Sequence, residues 1–288
     1  MTAMFPVRKV VCGISGGVDS SVAALLLKRK GYDVLGVFMR NWDIADETGH
    51  CSIDKDKEDA EYVCRKIGIP LQEVNFVRHY WNEVFSDLIE DYQNGLTPNP
   101  DILCNKSIKF NIFYDYATEN LGADAIATGH YARTSFGEDL EYYQENKRVR
   151  LLKAVDGGKD QTFFLSQVPQ KSLQRTLFPL GGITKNSVKK IALHAGLNYI
   201  AKKKESTGIC FIGKRNFQDF IKDYVKPKPG NFVDVETGEV VGTHAGIHFW
   251  TMGQRCHIPG LHTAYFVADK DMKTQDILVA SLLYGIFL

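Results

Sequence analysis

Two hydrophobic periods take turns along the first half of the chain. The β-branched run VRKVVCGI ends in glycine and leads into DSSVAALLLKRKGY, whose apolar residues recur at helical spacing until Gly31 stops them. DVLGVFMRNW reads as a second buried strand, DKEDAEYVCRKIGI as an amphipathic helix closed by glycine, and LQEVNF as a third strand. Two further helical patterns follow, HYWNEVFSDLIEDYQNG and NKSIKFNIFYDYATENLG, and then the strand ADAIATGH. This alternation predicts an α/β fold, a doubly wound parallel sheet that binds ligands at the carboxyl ends of its strands.

The pattern changes near residue 165. QKSLQRTLFPLGGITKNSVKKIALHAGL reads as two short helices joined by a proline–glycine turn, and from residue 228 onward the chain is strand and turn, with a hairpin expected at Glu236–Gly238. These signals divide the chain into a first domain over 1–165, to which the segment 200–213 with Cys210 is expected to return, a small central α+β domain over 166–278 and a divergent tail over 279–288. There is no internal repeat.

Composition narrows the function class. The 288 residues are 44% hydrophobic and 24% charged, as in a soluble globular protein, and no apolar run reaches the length of a membrane span. Net charge is only +1, so nucleic acid must be bound through local basic patches. The six cysteines form no CxxC pair, which argues against a zinc ribbon or an iron–sulfur cluster and for reduced thiols inside the cell. The first acidic residue is Asp19, and this short basic start is compatible with organelle import.

GISGGVDSS, at a strand-to-helix junction, is a phosphate cradle by construction. Backbone N–H groups and the helix dipole favour an anion there, glycines allow close approach, and serines add donors. It lacks the lysine of GxxxxGK[ST] and the spacing of GxGxxG. Asp19 is therefore expected to hold Mg²⁺ in place of the missing cation.

Two cysteines stand out by their neighbours. Cys104 follows TPNPDIL, with Asp101 three residues before it and Lys106 two after it, at an expected helix start where a thiol pKa falls. Cys210 lies in KKKESTGICFIGKRNF, whose basic flanks suit a polyanion. A lone cysteine is more often a small buried hydrophobe, and Cys12, Cys64 and Cys256 are read that way.

SGGVDSS resembles the pyrophosphatase-type loop of N-type ATP pyrophosphatases. Together with GVFMRNW, TPNPDILCNKSIKF, GADAIATGHYAR, KDQTFFLSQ, STGICFIGKRNF and GQR, it makes the chain similar to the tRNA-specific 2-thiouridylase family, its animal mitochondrial branch in particular. The resemblance covers roughly residues 8 to 278 and fades after DILVA, so the family's C-terminal β-barrel is expected to be missing. It implies an ATP-dependent sulfur transferase that adenylates C2 of a wobble uridine and replaces the oxygen with persulfide sulfur. The domain over 1–165 would then be catalytic, with Cys210 returning to its active site, and the domain over 166–278 would bind tRNA.

The same resemblance implies roles for individual residues. Gly13, Ile14, Ser15, Gly16, Gly17, Val18, Asp19, Ser20, Met39 and Gly129 would bind ATP. Asn99, Pro100 and Asp101 would contact the target base, and His130, Lys159, Asp160 and Gln161 the tRNA. Cys104 would be the nucleophile and Cys210 the persulfide carrier, with a transient disulfide between them as one route and Asp101 as acid or base. The implied partners are tRNA and a sulfur-relay protein, the implied state a monomer, and the location mitochondrial with the cytoplasm as alternative. Competing readings are another synthetase of the pyrophosphatase type, or a shortened relative that binds tRNA and ATP but turns over weakly.

Overall fold

The computed structural model describes residues 7–42, 52–204 and 216–281; Cys51 and Cys210 lie outside them. The chain divides into two compact units. One comprises Met1–Val84 with Pro100–Gly213, the other Phe85–Asn99 with Lys214–Leu288.

The first unit is built on a five-stranded sheet. Its strands are β1 (Lys9–Gly13), β2 (Asp33–Arg40), β3 (Leu71–Asn75), β4 (Ala125–Ala127) and, after the short hairpin β5 (Arg133–Thr134) and β6 (Leu151–Leu152), β7 (Thr176–Leu177). Their order is β3-β2-β1-β4-β7, and every pairing is parallel. Val10, Val11 and Cys12 of β1 are fully buried, as a central strand covered on both faces requires. Helix α1 (Val18–Arg29) supplies Val22, Ala23, Ala24 and Leu27 to that cover, and α2 (Ser52–Ile67) supplies Ala60, Val63 and Cys64. The strand order reverses between β1 and β4, which places the ligand crevice of such a sheet beside the loop after Gly13.

The expected boundary near residue 165 falls inside this unit. β7 pairs with β4, helix α3 (Lys185–His194) packs on α1, and α4 (Asn198–Lys202) packs on α3. A two-residue strand is too short to show a hydrophobic period, so the sequence pattern passed over the element that joins this segment to the sheet.

The second unit is a five-stranded sheet of β8 (Gly230–Asp234), β9 (Val240–His244), β10 (Arg255–Cys256), β11 (Tyr265–Asp271) and β12 (Asp276–Ser281), in the order β10-β11-β12-β8-β9. β8 and β9 pair antiparallel about the expected hairpin turn. Phe232, Ile247, Cys256, Val267, Ile277 and Val279 form its core. The helices Ser86–Gln93 and Phe217–Lys222 belong to the same unit, where Phe85 meets the rings of Phe220 and Tyr224 at 6.0 and 4.8 Å. The tail expected to diverge from residue 279 begins within β12, where Val279 is fully buried.

Candidate active site

The loop after β1 folds on its own hydroxyls. Ser20 Oγ donates to the Gly17 carbonyl at 3.2 Å and accepts from the Ser15 N–H at 3.1 Å, while Ser21 Oγ donates to the same Gly17 carbonyl at 2.7 Å. These bonds hold the turn without a side-chain cap on the first amides of α1, so those amides keep their donor capacity at the positive end of the helix. Gly16 has φ +72°, and a Cβ there would collide with the Asp56 carbonyl, so only glycine fits.

The loop does have a lysine, brought from 166 positions away. Lys185 Nζ donates to both oxygens of the Asp19 carboxylate, at 2.8 and 2.6 Å, and the Tyr131 hydroxyl donates to Oδ1 at 2.8 Å. Lys185 sits in the first turn of α3, capped by Thr184, and its own N–H bonds Asp156. A cation there opposes the helix dipole and is nearly buried, so it needs a compensating anion. Asp19 provides one, and the Tyr131 ring lies 5.9 Å from Nζ.

That pairing bears on the expected Mg²⁺ site. Both Asp19 oxygens are engaged, and among the described residues no cluster of three His, Cys, Asp or Glu side chains could hold a metal ion. The donor set does not fit a magnesium ion held by the protein.

The remaining residues assigned to ATP converge on the same loop. A Cβ on Gly129, two residues past β4, would sit 2.6 Å from the Ser20 nitrogen. A Cβ on Gly13 would lie 3.1 Å from Met39 Cε. Gly13 thus lies against Met39, and Gly129 against the start of α1.

Asp101 and Cys104 occupy one helical stretch. It opens at Pro100–Leu103 and widens into a π-helical segment over Cys104–Ile112, a local geometry frequent at functional sites. The helix starts four residues before the cysteine, so Cys104 is not at the helix N-terminus as the sequence suggests, and its side chain is buried. Asp101 is exposed in the first turn; Asn99 is half-buried and Pro100 buried.

His130 closes β4 on the same side of the unit. Its Nδ1 is 2.8 Å from Thr128 Oγ1, and its ring lies 5.7 Å from Phe110 of the π-helical segment. Burial, with Lys109 nearby, pushes its pKa well below the usual histidine value, so it is neutral at physiological pH. Asp160 and Gln161 bond mainly to the protein itself, and Lys159 is half-buried in the same segment.

The chain leading toward Cys210 is fixed at Lys203. Lys203 donates to the Gly16 carbonyl at 3.3 Å, to Asp56 at 2.8 Å and to Asp59 at 2.5 Å. It is anchored on the phosphate loop seven residues before Cys210. Among the buried thiols, burial raises Cys12 far above its ordinary value, Cys64 to about 12 and Cys256 to about 11, as inert structural thiols require.

Sequence reasoning gave no loop contact to Lys185 or Tyr131, and it read Lys203 only as part of the basic flank of Cys210. Their distance from the loop along the chain concealed these pairings.

Residues 8–214 match the tRNA methyl transferase HUP domain and residues 218–281 the tRNA methyl transferase PRC-barrel domain. The chain is 57% identical over 275 residues to mitochondrial tRNA-specific 2-thiouridylase 1 of Drosophila melanogaster, covering 96% of this chain and 71% of that protein. It is 53% identical to the Homo sapiens protein of the same name, over 96% of this chain and 69% of that one. A bacterial tRNA-specific 2-thiouridylase from Alkaliphilus oremlandii is 50% identical over 94% of this chain and 72% of its own length. The domain change at 214–218 coincides with the division between the two units. With both domains matched and relatives above 50% identity, this chain belongs to the tRNA-specific 2-thiouridylase family.

Proposed function

We propose that the chain is an ATP-dependent tRNA sulfurtransferase that converts the wobble uridine to 2-thiouridine in mitochondria. The observation that carries this reading is the loop at 13–21 with Lys185 and Asp19, set in a chain 57% identical to a named 2-thiouridylase. ATP would lie over the amides of 15–18, with Met39 and Gly129 beside it. Lys185 would give the departing pyrophosphate the positive charge that the loop itself lacks.

The uridine O2 is a poor leaving group. Its attack on the α-phosphate forms an adenylate and expels pyrophosphate. The terminal sulfur of a Cys210 persulfide then attacks C2, and AMP leaves. Attack of the Cys104 thiolate on Cys210 Sγ breaks the S–S bond, leaves sulfur on C2 and forms a Cys104–Cys210 disulfide. A dithiol reductant must return that disulfide to two thiols before the next turnover. Asp101, exposed and three residues before Cys104, would take the thiol proton. Any Mg²⁺ would arrive with the triphosphate, and a sulfur-relay protein would reload Cys210.

The test is nucleoside analysis of tRNA incubated with the protein, ATP and a persulfide donor. 2-Thiouridine with matched AMP release supports the reading. AMP release that does not depend on tRNA would favour a synthetase acting on another substrate.

A further inference from the structure

Asp160 and Gln161 spend their polar atoms holding backbone. Asp160 Oδ2 accepts from the Ala154 N–H at 2.6 Å, and Oδ1 accepts from the N–H and hydroxyl of Thr162. Gln161 and Tyr131 bond reciprocally, Tyr131 N–H to Gln161 Oε1 at 3.0 Å and Gln161 N–H to the Tyr131 carbonyl at 2.9 Å. These bonds set up the single 3₁₀ turn Phe163–Leu165. Leu165 is buried beneath it, and the Phe164 carbonyl accepts from Asn105 Nδ2 at 3.0 Å. Asn105 follows Cys104 directly and is itself buried.

The turn therefore packs against the helical stretch that carries Asp101 and Cys104. What it presents outward is Phe163, 67% exposed and the most exposed large apolar side chain among the described residues. A single exposed apolar residue is common on any surface. Here the backbone is fixed on both sides, the ring meets Phe164 edge to face at 5.6 Å, and the partner beneath is the neighbour of the reactive cysteine.

We propose that Phe163 is a stacking platform for a nucleobase of the anticodon loop, the neighbour of the uridine that is modified. The inference rests on tRNA being the substrate. Extruding a base from a stacked loop leaves its neighbours without a stacking partner, and an aromatic face replaces it without reading sequence. The base on Phe163 is the neighbour rather than the target, because the target must reach the α-phosphate over the amides of 15–18, with the buried Cys104 close enough to resolve the persulfide, while Phe163 lies at the surface.

The experiment compares the full chain with Phe163→Leu and Phe163→Trp, measuring ATP affinity, thiolation and affinity for an anticodon stem-loop. Phe163→Leu is expected to weaken stem-loop binding about five- to a hundredfold, the size of one base–aromatic stack. ATP affinity stays as in wild type. Phe163→Trp keeps RNA affinity, and its fluorescence is quenched by the stem-loop. A stem-loop abasic beside the target loses the same factor with wild type and nothing further with Phe163→Leu. Wild-type affinity in the leucine variant, with wild-type protein thiolating normally, overturns the stack alone. A wild-type protein that neither binds nor thiolates tRNA overturns the functional reading instead.

Discussion

Lys185 clasps Asp19, its Nζ lying 2.8 and 2.6 Å from the two carboxylate oxygens, although 166 positions separate the residues. The pair gives a glycine-rich loop without a lysine of its own a cation at the helix terminus where phosphate charge would gather. Because the amine is nearly buried and the carboxylate only partly so, an incoming polyphosphate can share the lysine without first drawing it from solvent.

Lys185→Met removes that charge and keeps the length of the side chain. A charge-assisted hydrogen bond contributes about 1.5–3 kcal/mol, so ATP affinity should fall roughly ten- to a hundredfold. Equilibrium binding of ATP in the absence of tRNA measures it. Unchanged affinity would leave Lys185 as no more than the partner of Asp19.

Gly129→Ala should damage the same site by crowding. The added methyl would sit 2.6 Å from the Ser20 nitrogen, against backbone that cannot turn aside. Overpacking of this kind costs about 1–3 kcal/mol, and the strain falls on the start of α1. The expected result is at least about tenfold weaker ATP binding with far-ultraviolet dichroism unchanged; ATP binding as tight as in wild type would show that the loop adapts.

The two cysteines separate by step. Cys210→Ser should bind ATP as wild type does, accept no labelled sulfur and yield no product. Cys104→Ser should still accept sulfur at Cys210 and stall before release. Labelled sulfur appearing on the Cys210→Ser chain as fast as on wild type would refute the carrier assignment.

Three histidines should make the fold less stable in mild acid. Burial lowers the pKa values of His130, His244 and His248, reinforced at His130 by Lys109 and at His248 by Lys270 and His244. Below an ordinary histidine value of about 6.5 the unfolded chain therefore binds more protons than the folded one, and stability falls as pH falls. The urea midpoint should decline between about pH 6.5 and 5, before the carboxylates titrate. His244→Gln cannot charge and should flatten part of that slope. A flat midpoint in the wild type over this range would contradict the sign.

The sequence by itself determined the first four strands of the first unit's sheet and the glycine-rich turn between β1 and α1, and it singled out two cysteines and Asp101 as candidates. Each of those signals is local: β-branched runs closed by glycine, serines around paired glycines, an acid one turn from a thiol. β7, two residues long, gave no period, and the domain boundary was displaced with it. The loop contacts of Lys185, Tyr131 and Lys203 were hidden for a different reason. Their roles come from side chains that meet Asp19 and Gly16 across more than 100 positions, and no periodicity encodes such a meeting. Asp160 and Phe163 show the same division. Sequence placed the acid on the substrate, whereas folding turned its oxygens toward Ala154 and Thr162 and left the neighbouring ring in solvent. Local chemistry names the candidates; the competition among backbone donors for buried acceptors decides which side chains remain to face a ligand.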